Sequence, residues 1–84
     1  MEHYKRTMPE AGEKWKHFKG HVYKTICIAG DTERDGLDVV YQDTQEPKLI
    51  WARPLRMFMS EVDHEKYPEV TWKWRFQKVA DADE

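Results

Sequence analysis

Between Gly20 and Gly30 the chain reads Val22-Tyr-Lys-Thr-Ile-Cys-Ile-Ala29, a run rich in β-branched and aromatic residues. Such a run, bounded by turn residues, predicts a β-strand. A strand cannot stand alone, because its backbone N–H and C=O groups need partners. The partners are legible on both sides. Gly20 marks a turn from a short strand at Trp15–Lys19, and Leu37-Asp-Val-Val-Tyr-Gln42 closes a hairpin across the loop punctuated by Gly30-Asp31 and Asp35-Gly36. Leu49-Ile-Trp-Ala-Arg53 follows as a fourth strand, which Pro54 must end or place at an edge, since proline has no N–H for a ladder. Leu55 and Phe58 then stand at i and i+3, the spacing of one tight helical turn. Finally Thr71-Trp-Lys-Trp-Arg-Phe-Gln77 alternates, with Trp72, Trp74 and Phe76 on the face expected to be buried and Lys73, Arg75 and Gln77 on the other.

Five short strands in 84 residues, joined by short loops and with one helical turn before the last, predict an all-β domain. The expected architecture is a small SH3-like antiparallel β-barrel, because closure removes open sheet edges. Residues 1–13 lack an apolar period and contain Pro9 and Gly12, so they are expected as a flexible N-terminal arm. Residues 14–79 form the single β-barrel domain, and 80–84 an acidic C-terminal tail.

Composition narrows the function classes. The chain is 36% charged with a net charge of −2, which opposes strong non-specific binding to nucleic acid. The charge is blocked, however: residues 14–24 carry four Lys and no acid, while 31–46 carry six acids and one Arg. A folded molecule can therefore present a basic face beside an acidic rim. No apolar run approaches ~20 residues, and no apolar segment follows the first residues, so neither a membrane span nor a secretory signal is expected. A single cysteine, Cys27, suits a reducing cytoplasm. Flanked by Ile26 and Ile28, it is expected to be a small core hydrophobe rather than a reactive thiol.

The order of short pieces carries a resemblance. His17-Phe-Lys-Gly20, Val22-Tyr23-Lys24, Val39-Val40-Tyr41 and Trp51-Ala-Arg-Pro-Leu55 followed by Met57-Phe58 resemble a family of small bacterial proteins, the domain of unknown function family 1653. The likeness covers roughly residues 15–62. Where the family usually has His-Ser-Glu or His-Thr-Glu in the first hairpin loop, this chain has Asp31-Thr32-Glu33. The resemblance supports the β reading and implies no mechanism.

Chemistry-bearing residues are sparse. Ser60, the single serine, has no evident base, and the four glycines are too dispersed for a phosphate-binding loop. His17 and His21 lack a third ligand nearby, so no metal site is expected. The paired acids lie in loops, where solvated carboxylates are the rule. No cofactor is expected. The cluster of most interest is Tyr41, Trp51 and Arg53. Period-2 geometry puts Trp51 and Arg53 on one strand face, with Tyr41 beside them if the two strands pair. Either Leu49 and Trp51 point inward and Trp51 is core, or Ile50 and Ala52 do and an aromatic-basic patch is exposed. The second case suits binding, since Tyr, Trp and Arg concentrate binding energy. Lys73 and Arg75 are candidate rim charges, with Lys16 and Lys19 able to extend a basic face.

The expected function is a non-enzymatic binding module for a protein or peptide partner through Tyr41, Trp51, Arg53, Lys73 and Arg75. A nucleic-acid accessory role on single-stranded RNA or DNA is the second reading. A small enzyme or metabolite-binding subunit is the third. The molecule is expected to be a monomer or weak homo-oligomer.

Overall fold

The structure is a computed structural model and describes residues 6–79. It contains β1 (Lys14–His17), β2 (Val22–Asp31), β3 (Gly36–Asp43), β4 (Ile50–Pro54), a single helical turn α1 (Leu55–Phe58) and β5 (Phe76–Lys78). The strands form one antiparallel sheet in the order β4-β3-β2-β1-β5. Among the described residues no helix is long and apolar enough to cross a membrane.

The sheet is open, and this corrects the expected barrel. Among the described residues the edges β4 and β5 are not joined by a ladder. Side chains bridge the gap instead. The Arg53 guanidinium of one edge lies 5.7 Å from the Phe76 ring of the other, and Tyr41 of β3 meets Phe76 at 5.8 Å. The sheet is thus curled around its own aromatic core. That core holds Trp15, Val39, Tyr41, Leu55, Phe58, Met59 and Phe76, with Tyr23 and Ile28 packed against it. Phe58 and Phe76 stack face to face at 4.1 Å. Aromatic pairs contribute roughly 0.5–1.5 kcal/mol beyond their buried area.

A β-bulge overturns the expected role of Cys27. Thr25 pairs with Tyr41 and Cys27 with Val40, so Ile26 is the extra residue of β2. One extra residue switches the face of everything beyond it. Thr25 therefore faces the core and is buried, and so does Ile28 opposite Val39, while Cys27 turns outward and is exposed.

The last segment also departs from its alternation. β5 begins only at Phe76, and Trp74 makes a single bridge with Glu61. The Val62 N–H donates to the Lys73 carbonyl at 2.9 Å and the Arg75 N–H to the Ser60 carbonyl at 3.0 Å, so this stretch is tied to the loop after α1. Phe76 is buried, whereas Trp72 and Trp74 are only half-buried.

Residues 6–13, part of the expected arm, are fastened to the sheet. Arg6 donates to the Met59 carbonyl at 3.1 Å and to the Phe76 carbonyl, and its guanidinium lies 4.3 Å from the Trp74 ring centre. The buried Thr25 hydroxyl donates to the Glu10 carbonyl and accepts from the Glu13 N–H at 3.2 Å. Gly12, at φ +86°, makes the turn between these contacts, in a region that favours glycine. The expected acidic tail, 80–84, lies outside the described residues.

Candidate functional site

β1 ends in the turn His17-Phe18-Lys19-Gly20, where Gly20 at φ +102° lets the chain reverse and its N–H donates to the His17 carbonyl at 2.8 Å. The Phe18 N–H donates to the Arg75 carbonyl at 2.9 Å, which fixes this turn beside the approach to β5. A third segment closes in from the loop after α1. There Asp63 Oδ1 accepts from the Glu65 and Lys66 N–H groups, and the Tyr67 N–H donates to the Asp63 carbonyl at 2.9 Å. This Asx-type turn presents Lys66 and Tyr67. The Tyr67 ring then meets Phe18 edge-on at 5.0 Å. β4 supplies Arg53.

These segments enclose a cleft of about 270 Å3 lined by His17, Phe18, Lys19, Arg53, Asp63, Lys66, Tyr67 and Arg75. Four permanent cations thus face one carboxylate, and that carboxylate is already engaged by backbone N–H groups. Burial, and then repulsion from Arg53, lower the Arg75 pKa from the ordinary arginine value. The His17 imidazole is pushed down to about 4 by burial first and then by Arg53, Lys19 and Arg75. It is therefore neutral near pH 7. Its Nδ1 accepts from the Lys19 N–H at 3.1 Å, so its proton resides on Nε2. Hydrogen bonding from Lys19 outweighs burial and, with Lys66 beside it, lowers the Tyr67 hydroxyl below the ordinary phenol value. Burial leads the shifts of His17 and Arg75, and neighbouring cations add to all three. A concave site lined mainly by cations attracts anions.

Of the residues singled out from sequence, Arg53 and Arg75 are brought together in the cleft. Tyr41 is in the core, and its hydroxyl accepts from Arg53 Nε at 3.2 Å, so it holds the guanidinium rather than meeting solvent. Trp51 pairs with Tyr41 and Arg53 with Val39, which puts both on the core-side face of β4. Trp51 is nevertheless 47% exposed, because β4 is an edge strand with nothing beyond it in the sheet. It thus has the facing of one expected assignment and the exposure of the other. Lys73 is exposed and extends over the Trp74 ring at 5.0 Å, outside the cleft lining. Sequence reading missed His17, Phe18, Asp63, Lys66 and Tyr67 as site residues. The available signals were the Lys-rich turn at Gly20 and an Asp followed by Glu65-Lys66, the pattern of an Asx turn.

Ser60 and Cys27 lie outside the cleft lining. Ser60 Oγ donates to the Met57 carbonyl at 2.7 Å, and Cys27 lies on the outer face of β2. Among the described residues no three His, Cys, Asp or Glu side chains are grouped as metal ligands. What the arrangement can do is bind an anion through several donors.

No curated protein and no solved structure matches the chain. One family model does, over residues 13–78: that of the proteins of unknown function designated DUF1653. Its span takes in the whole of every strand from β1 to β5 and all the described residues that line the cleft. The chain belongs to the DUF1653 family.

Proposed function

We propose that this chain is a non-enzymatic binding module that grips an anionic group of a protein or peptide partner in the basic cleft. The observation that carries this reading is that Arg53 and Arg75 share the cleft while no carboxylate forms an ion pair with either among the described residues. Half-burying two guanidiniums side by side without a paired carboxylate is costly, and part of that cost is recovered when an anion arrives. Trp51, exposed on the same strand face as Arg53, supplies an apolar contact beside the charge. The curled five-stranded sheet with a helical turn before its last strand supports an SH3-like reading of the scaffold. In this reading the module acts as a monomer or weak homo-oligomer in a reducing cytoplasm, where the exposed Cys27 thiol stays reduced.

The test is a residue-resolved NMR titration with pools of acidic peptides. Shifts centred on Arg53, Arg75 and Trp51 are expected, and they should vanish in Arg53→Ala and Arg75→Ala proteins that keep their folded spectra. Shifts centred on the β2–β3 hairpin instead would remove the cleft from consideration. Salt-sensitive binding of single-stranded oligonucleotides at the same residues, with no peptide binding, would replace the peptide reading with the nucleic-acid one.

A further inference from the structure

The cleft's cations arrive from four separate places: Lys19 from the turn after β1, Arg53 from β4, Lys66 from the Asp63 turn and Arg75 from just before β5. A carboxylate is planar, and one guanidinium fork satisfies both of its oxygens. A lining with two guanidiniums and two ammonium groups from different elements exceeds what a carboxylate uses. A phosphomonoester presents three strong acceptor oxygens in different directions and carries close to two negative charges near neutral pH. Charge balance favours the same guest. A single carboxylate leaves the lining with surplus positive charge, because among the described residues Asp63 is the one acid there. His17, neutral near pH 7, lines the cleft without adding to its charge.

Resting on the anion-binding reading above, we infer that the group this cleft takes is a phosphomonoester dianion, carried by a phosphorylated side chain of the peptide partner. The cleft's size bears on the carrier. At about 270 Å3 it is smaller than sites for drug-sized ligands, which run roughly 300–1,000 Å3, but larger than a bare phosphate requires. The remaining space is walled by Phe18 and the Tyr67 ring, a surface suited to the short apolar stem of a phosphorylated residue.

The experiment is an NMR titration of the full chain at pH 8 and matched ionic strength. The probes are inorganic phosphate, acetate, a phosphoserine peptide, the same peptide with Glu in place of phosphoserine, and adenosine monophosphate. Inorganic phosphate is expected to shift Lys19, Arg53, Lys66 and Arg75 saturably, with acetate much weaker. The phosphoserine peptide is expected to bind about tenfold tighter than its Glu counterpart, as the extra charge-assisted hydrogen bonds imply. Affinity should fall as pH drops through about 6, where the phosphate loses its second charge. Lys66→Gln, on an exposed loop position, should weaken phosphate binding with the fold intact, so the test does not depend on the half-buried arginines. If acetate equals phosphate, or the Glu peptide equals the phosphoserine peptide, the dianion inference fails and the anion-binding reading survives. If no probe shifts the cleft, both fail. Tighter binding of adenosine monophosphate than of the phosphoserine peptide overturns the peptide as carrier.

Discussion

The Tyr41 hydroxyl accepts a hydrogen bond from Arg53 Nε at 3.2 Å, so a core ring sets the position of a cleft guanidinium. Tyr41 is 4% exposed and packs its ring against Phe58 at 5.6 Å and Phe76 at 5.8 Å. It cannot swing with Arg53, because the core fixes its ring. Preorganisation of this kind lowers the ordering cost when a ligand binds.

Replacing Tyr41 with Phe keeps the ring and removes that acceptor. Folding stability should fall by about 1 kcal/mol, the usual net value of one hydrogen bond. Anion affinity should fall by roughly two- to tenfold, since Arg53 then samples other rotamers. Thermal melts and the phosphate titration, run on the same sample, check both. An unchanged affinity would mean that Arg53 needs no support from beneath.

Phe76 should be the residue whose loss the fold tolerates least. It is 1% exposed, stacks on Phe58, and touches Tyr23, Tyr41 and the His17 ring. Phe76→Ala should cost ~3–5 kcal/mol, enough to unfold much of so small a domain. Trp74→Ala should cost less, because that ring is half-buried and covered on one face by Arg6. Denaturant melts of the two variants should rank in that order.

Cys27 should react with a maleimide in the native protein at a rate close to that in denaturant, as its exposure on the outer face of β2 dictates. Cys27→Ser should change stability by less than about 0.5 kcal/mol, the usual range for surface positions. Strong native-state protection of the thiol would place Cys27 inside and contradict the bulge at Ile26.

That bulge shows where sequence reading ran out. The hairpin, the stop at Pro54 and the turn at Leu55–Phe58 were legible, because glycine, proline and i,i+3 spacing act locally. Ile26 carries no local mark of a bulge, being β-branched, and the isoleucines on either side of Cys27 together with the burial tendency of cysteine pointed to the core. The open sheet was equally hidden, since closure depends on twist accumulated over all the strands. Arg53 and Arg75 could be picked out as charges beside aromatic residues. For Lys66 and Tyr67 the turn at Asp63 was the one local mark, and it does not say that the turn packs against the Phe18 ring.

Acid should weaken the fold through His17 before it reaches the carboxylates. In the folded protein the imidazole is pushed down from the ordinary 6.5 to about 4, by burial first and then by the surrounding cations. In the unfolded chain it keeps a value near 6.5. Between those two values the unfolded state holds a proton that the folded state refuses, so lowering the pH favours unfolding. Stability should therefore decline as pH falls from about 6.5 to about 4, with no further loss from this group below that. Asp43 adds to the decline at lower pH. Burial opposes its ionisation, but the Gln45 and Glu46 N–H groups and His21 hold its carboxyl below the ordinary range. Its contribution is thus lost as pH falls from the ordinary carboxylate value through its folded one. A His17→Gln variant should flatten the upper part of the stability profile and leave the lower part. The same ring reports on the cleft. Sulfate, which stays dianionic at pH 4, should raise the His17 pKa when it binds, because it offsets Arg53, Lys19 and Arg75. Following the imidazole resonance against pH, with and without sulfate, reads this directly. A midpoint that sulfate leaves in place would mean that the dianion binds away from these cations.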